Sequence, residues 1–169
     1  MTAYVVLLRA VNVGGTGKLP MSDLRAMCQD AGLRNARTYI ASGNVLFESD
    51  AGEAVVKAAL ESALAAYAGR AVGVMVRTGG EMAAVLAANP FSSAPPNRTM
   101  AIFLDDPPPV DLLAGVTGRA TEAIAAGVRE IYVHYPDGMG NSKLRIRAAS
   151  SGTARNMNTV AKLAEWAAA

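Results

Sequence analysis

Scarcity frames the first reading. The 169 residues include one cysteine, Cys28, and one histidine, His134. A lone cysteine forms no intramolecular disulfide, which suits a reducing compartment. A lone histidine excludes a multi-histidine metal site. A Ser-His-Asp triad would have to use it, and no nucleophile-elbow sequence supports one. His134 alternates with Val133 and Tyr135 in a strand pattern and reads as structural. Aromatics make up only 5% of the chain, and the formal net charge is +2, too small by itself to argue nucleic-acid binding. No apolar run approaches the roughly 18–20 residues that span a bilayer, and the start of the chain lacks the basic and apolar regions of a secretory leader. A soluble cytoplasmic protein is expected, with no cofactor and no metal.

What is present is a globular composition, 51% apolar and 18% charged, long enough to bury a real core. Ala3–Leu8 is a continuous apolar run of strand length, as in a buried central strand. Gly14, Gly15 and Gly17 turn the chain. A helix follows Pro20, with Leu24, Met27, Cys28 and Ala31 on one stripe and Gly32 as its stop. Arg37–Ala41 and Val45–Glu48 flank Ser42-Gly43-Asn44, a hairpin signal. A helix over 53–68 carries Val56, Leu60, Ala63, Leu64 and Tyr67 on its buried stripe, and 72–77 is a strand. Strand, helix, strand, strand, helix, strand is the ferredoxin-like order.

The second half is less regular. It reads as a helix over 81–88, a loop over 91–98, and a strand over 100–104. A short helix over 110–115, strands over 120–126 and 130–135, a helical piece near 142–146 and a last helix over 154–167 follow. The fold class expected is α+β, with two ferredoxin-like (βαββαβ-type) halves, antiparallel sheets with helices packed on one face, and the second half incomplete. The halves are read as 1–78 and 79–169, the boundary falling within 78–98, together one compact unit. No residue-level repeat joins them.

Several stretches invite chemistry. VNVGGTGKL resembles a phosphate-binding P-loop and fails the test, because Asn12 stands where that motif needs glycine and Leu19 where it needs Ser or Thr. Backbone N–H groups of a glycine turn beside Arg9 and Lys18 remain able to cradle an anion. The same glycines serve equally well to shape a strand-to-helix crossover. Gly43 and Asn44 likewise suit plain hairpin chemistry. In the order above, that hairpin is expected at the sheet end opposite the first strand's exit, so Ser42 and Asn44 need not meet Arg9 and Asn12.

Between Asp137 and Glu165 the chain carries Lys143, Arg145, Arg147, Arg155 and Lys162 and no acid. Thr153 is expected to cap the last helix, whose N-terminus favours an anion. At about 100° per residue, Arg155, Thr159, Lys162 and Trp166 share a face opposite the stripe of Met157, Val160, Ala161 and Ala164. Two cations and an indole could bind a phosphate backbone and stack a base, or Trp166 could simply cover another surface. Cys28 reads as core. Asp105-Asp106 reads as a solvated strand end.

The strings LLRAVNVGG, TYIASGNVLF and TARNMNTVAKL, with GMGNSKL between the last two, resemble signature segments of a bacterial family known as domain of unknown function 1697. The likeness runs through the whole chain in order. It implies two ferredoxin-like halves and no activity. By that resemblance the family-typical positions are Arg9, Asn12, Gly14, Gly15, Lys18, Ser42, Gly43, Asn44, Lys143, Thr153, Arg155, Asn156 and Asn158. Ala10 stands where the family usually has glycine, and Met157 where it usually has tryptophan.

Three functions follow as expectations. The first is a binding protein that holds a phosphate-bearing ligand, a nucleotide or a nucleic-acid backbone, in a basic cleft between the halves. Its site would comprise Arg9, Asn12, Gly14, Gly15, Lys18, Ser42, Asn44, Lys143, Thr153, Arg155, Asn156 and Asn158. The second is an enzyme on a small anionic substrate, with Asp137, Tyr135 or His134 as the only general bases on offer. The third is an interaction module that self-associates, as a homodimer, through a free sheet edge or Trp166.

Overall fold

The computed structural model describes residues 1–9, 18–40 and 43–168. It is an α+β protein with antiparallel sheets and, among the described residues, four α-helices. The chain divides into one unit of Met1–Met82 with Leu163–Ala169 and a second of Ala83–Lys162.

In the first unit, β1 (Thr2–Leu8), α1 (Met21–Asp30), β2 (Arg34–Thr38), β3 (Asn44–Ser49), α2 (Glu53–Ala68) and β4 (Val74–Thr78) form a sheet of order β2-β3-β1-β4. Period-two alternation sends Tyr4, Val6, Leu8, Val45, Phe47, Val74 and Val76 to one face, where Leu24 and Cys28 of α1 and Val56, Leu60 and Leu64 of α2 complete the core. Each fully buried leucine there contributes about 1.5–3 kcal/mol. Gly52 precedes α2, and Gly69, at φ 70°, ends it with its N–H on the Ala65 carbonyl. Tyr67 is not on the buried stripe. It is 47% exposed, because its hydroxyl reaches Asp23 Oδ2 at 2.7 Å.

Two local features differ from the expected hairpin. Strand β2 begins earlier and ends at Thr38, with a register shift between Arg34 and Arg37 and left-handed backbone at Asn35 and Ile40. The turn also lies at the same end as the exit of β1, not the opposite one. Strand β3 runs antiparallel to β1, so Asn44 pairs with Leu7, and the Leu8 N–H meets the Gly43 carbonyl at 2.8 Å.

From α3 (Gly79–Ala87) the chain enters the second unit. There β5 (Thr99–Phe103), β6 (Val116–Thr117), β7 (Ala123–Ala126), β8 (Glu130–His134), β9 (Arg145–Ile146) and β10 (Thr153–Asn156) precede α4 (Met157–Ala168). The main sheet has the order β10-β5-β8-β7. Ranked within the unit, its strands take the same 2-3-1-4 positions as those of the first sheet. Helices do not fill the crossovers. The β6–β9 ribbon and two 3-10 turns, at Leu112–Gly115 and Arg147–Ala149, pack Leu112, Leu144, Ile146 and Ala148 against Ile102, Ile131 and Val133. The helical piece expected near 142–146 is therefore β9, because Ile146 pairs with Val116.

The last helix starts later than its stripe suggests. Thr153–Asn156 pair with β5 as a strand, so Thr153 is not its cap. Asn156 is, with Oδ1 accepting the Thr159 N–H at 2.9 Å.

Candidate functional site

Three elements converge at one end of the first sheet. The last residue of β1 bonds to Gly43, and the next N–H, that of Arg9, donates to the Gly73 carbonyl at 2.9 Å. A Cβ added to Gly73 would sit 2.9 Å from Arg9 Cβ, so the arginine leaves the sheet along the start of β4. Arg9 and Lys18 are both exposed. Asn12, Gly14, Gly15 and Ser42 lie outside the described residues.

Asn44 is fully buried, and its Nδ2 donates to the Tyr39 carbonyl at 2.9 Å, with the Tyr39 N–H returning to the Asn44 carbonyl. That pair ties Asn44 to Tyr39. Asn44→Ala removes a buried amide and leaves the part-buried Tyr39 carbonyl without that donor, which should cost about 1–3 kcal/mol in urea unfolding. A loss below the error of that measurement would refute the stabilising role of that tie.

The C-terminal cations do not form the expected helix face. Arg155 lies in β10 and is only 7% exposed. Its guanidinium donates to Thr153 Oγ1 at 2.8 Å and to the Ala154 carbonyl at 2.9 Å. Burial pushes its pKa down to about 10, so it stays charged at neutral pH. Thr159 is also buried, while Trp166 packs within the first unit. The Arg37 guanidinium carbon stands 4.8 Å from the indole centroid and its Nη2 donates to the Trp166 carbonyl at 2.6 Å. Tyr39 meets the indole edge-on at 5.2 Å. Arginine at a helix C-terminus is favourable capping, so Trp166 serves packing rather than a base-stacking face. A concavity of about 260 Å³ beside it involves Ala3, Asn35, Arg37 and Glu48, near the start of β1 and away from Arg9.

Lys143 lines a second concavity, of about 180 Å³, wholly within the second unit and shared with Thr121, Glu122, Tyr135, Asp137 and Ser142. The buried Glu122 carboxylate accepts from Ser142 Oγ at 2.5 Å and from the Ala120 N–H at 2.6 Å. Those two bonds, the Ser142 one foremost, hold it below the usual carboxylate range. Glu122 and Thr121 escaped the sequence reading. The available signal was the Pro136-Asp137-Gly138 turn running into Lys143, with no hint of its distant partner loop.

Cys28 is buried in the core, and burial alone raises its thiol to about 12. His134 Nδ1 lies 3.2 Å from Thr99 Oγ1 and 6.0 Å, ring to ring, from Phe91, a structural setting. Among the described residues no cluster of three or more His, Cys, Asp or Glu could hold a metal, and no helix is long and apolar enough to cross a membrane.

A family model described as a protein of unknown function (DUF1697) matches residues 1–132. No curated protein matches. Among solved structures, the chain is similar to the conserved bacterial protein SP0830 from Streptococcus pneumoniae. The TM-score is 0.78, the identity 22%, and 98% of each chain is covered. At that identity the likeness speaks for the fold alone.

Proposed function

The chain belongs to the DUF1697 family, whose description assigns no activity, and from that premise we propose that the first unit binds a phosphate-bearing ligand at the exit of β1. Arg9 and Lys18 supply the positive charge, and Asn12, Gly14, Gly15 and Ser42, which lie outside the described residues, are kept in the site on the sequence pattern alone. The observation that carries the reading is the bond from Leu8 N–H to the Gly43 carbonyl at 2.8 Å. It holds the end of β1 against Gly43 and Asn44, so Arg9 and Asn44, far apart in sequence, lie towards one sheet end. Nucleotides and nucleic-acid backbones both offer the required dianionic or polyanionic group. Lys143 is left out of this site, because a phosphate beside it would also face Glu122 and Asp137. Thr153, Arg155 and Asn156 are read as structural, and Asn158 is given no role.

We also read both sheets as ferredoxin-like halves, the second with its helices replaced by the ribbon. The single buried cysteine suits the cytoplasm.

A thermal-shift series tests the ligand. Wild type, Arg9→Ala and Lys18→Ala are screened against inorganic phosphate, nucleotides, sugar phosphates and short single-stranded oligonucleotides at low and moderate salt. A ligand at 100 times its Kd should stabilise wild type by about 2.7 kcal/mol, several degrees at this size. Loss of a charge-assisted contact in Arg9→Ala should weaken binding about tenfold or more. Shifts confined to oligonucleotides and falling steeply with salt would identify a polymer backbone as the ligand. Absence of any shift, or identical shifts in all three proteins, would overturn the site.

A further inference from the structure

We propose that the second unit carries a separate binding site for a small zwitterion of the amino-acid type. Lys143 would take the ligand carboxylate, and Asp137, backed by the charge of Glu122, its ammonium group. The site is independent of the phosphate reading, since it shares no residue with it.

Its frame is built before any ligand arrives. Glu122 holds Ala120 and Ser142 with its two oxygens, and Thr121 Oγ1 donates to Asp137 Oδ2 at 2.6 Å. Ser142 Oγ in turn accepts the Leu144 N–H at 3.2 Å. Gly118 fastens the two loops more closely still. A Cβ there would lie 2.0 Å from the Lys143 carbonyl oxygen, so only hydrogen fits. The 118–122 and 137–144 loops are thus joined at three points, Glu122–Ser142, Thr121–Asp137 and Gly118–Lys143, which lowers the ordering cost of binding.

The groups left over are mixed in charge. Lys143 lines the same concavity as Glu122 and Asp137. Yet among the described residues no ion pair within 4.0 Å joins it to either carboxylate. A surface lysine on a flexible stem beside two carboxylates would ordinarily collapse onto one of them. Here the frame keeps the opposite charges apart across a cavity of about 180 Å³.

Asp137 Oδ1 and the Tyr135 hydroxyl likewise have no hydrogen-bond partner among the described residues. Burial, and then the Glu122 charge, raise the Tyr135 phenol, so it stays a neutral donor. A purely anionic ligand meets two like charges here, and a simple cation meets Lys143. A molecule carrying both charges satisfies both sides, and the small volume limits its side chain.

The test is amide-resolved NMR titration of the full chain with glycine, L-alanine, acetate and methylamine. Glycine or alanine should produce saturable shifts confined to 118–122 and 135–144. Acetate and methylamine, each with half the charges, should bind at least tenfold more weakly. Lys143→Ala, at an exposed position, should keep the fold and lose zwitterion binding at least tenfold. Asp137→Asn should do the same for the ammonium side. No saturable shift with either amino acid overturns the proposal. So does a Lys143→Ala variant that binds as well as wild type, or methylamine binding as tightly as glycine.

Discussion

Gly118→Ala should destabilise the second unit by about 2–5 kcal/mol, among the largest losses a single added methyl group could cause at the described glycines. Two costs add. Gly118 sits at φ +68°, where an L-residue pays about 1–2 kcal/mol. The new Cβ would also fall 2.0 Å from the Lys143 carbonyl oxygen and 2.8 Å from its carbon. Backbone cannot swing aside as a side chain can, so relief requires moving the 137–144 loop, an overpacking cost of about 1–3 kcal/mol. Gly138→Ala is the control. Its φ of +79° imposes similar backbone strain, but nothing lies within 4 Å of its added Cβ, so it should cost only the strain, about 1–2 kcal/mol. Urea unfolding of the two variants separates strain from clash. Equal losses would mean that Gly118 and Lys143 do not touch. Gly118→Ala should also abolish the zwitterion shifts, because the displaced loop carries Lys143 and Ser142.

That pair of glycines illustrates why some of this protein is legible from its sequence and some is not. Helix α2 is readable end to end, because glycine punctuation and the Val56, Leu60, Leu64 stripe are local signals that agree. Strand β1 is readable because a run of apolar residues buried on both faces has few alternatives. The start of α4 misleads. Thr153 to Asn156 continue the helical pattern of Met157 and Val160, but β5 offers them backbone partners, and partner strands are invisible in a local window. The helical period therefore groups Arg155 with Trp166, whereas its guanidinium sits in a buried setting with Thr153.

The SGN turn misled for a different reason. Gly43, at φ 89°, is in the left-handed backbone that a hairpin glycine supplies, but the sheet end follows from the direction of β3. A strand antiparallel to β1 must begin where β1 ends, so the turn preceding it sits beside Arg9. The pocket around Lys143 was legible only in part. Tyr135, Asp137 and Lys143 are near neighbours in sequence, whereas Glu122 joins them through the β6–β9 ribbon and the Gly118 approach. Both are tertiary facts.

Alkaline solution should unfold the first unit through one atom. Cys28 is completely buried, and desolvation raises its thiol from 9.0 to about 12. In the unfolded chain the thiol ionises near 9, while in the folded chain it keeps its proton. Between those values the folded state binds more protons than the unfolded state, so stability falls as pH rises. This contribution is fully present below pH 9 and is lost as pH climbs towards about 12. At about 1.4 kcal/mol per pH unit, the loss across that window is about 4 kcal/mol. Tyr132 adds to it in the second unit. Burial, then the Glu130 charge, raises its phenol from 10.0 to about 12, while its hydroxyl donates to the Val85 carbonyl at 2.7 Å. Chemical-denaturation curves at pH 8, 9, 10 and 11 measure the slope. Cys28→Ala should lose about 1 kcal/mol at pH 8 through its small cavity, then show a flatter pH dependence than wild type, so that the two profiles cross at about pH 10 and the variant is the more stable protein at pH 11. The thiol should also resist alkylation in the native state and react at once in urea, since only the thiolate attacks. Parallel pH profiles for wild type and Cys28→Ala would show that the thiol is not what alkali titrates.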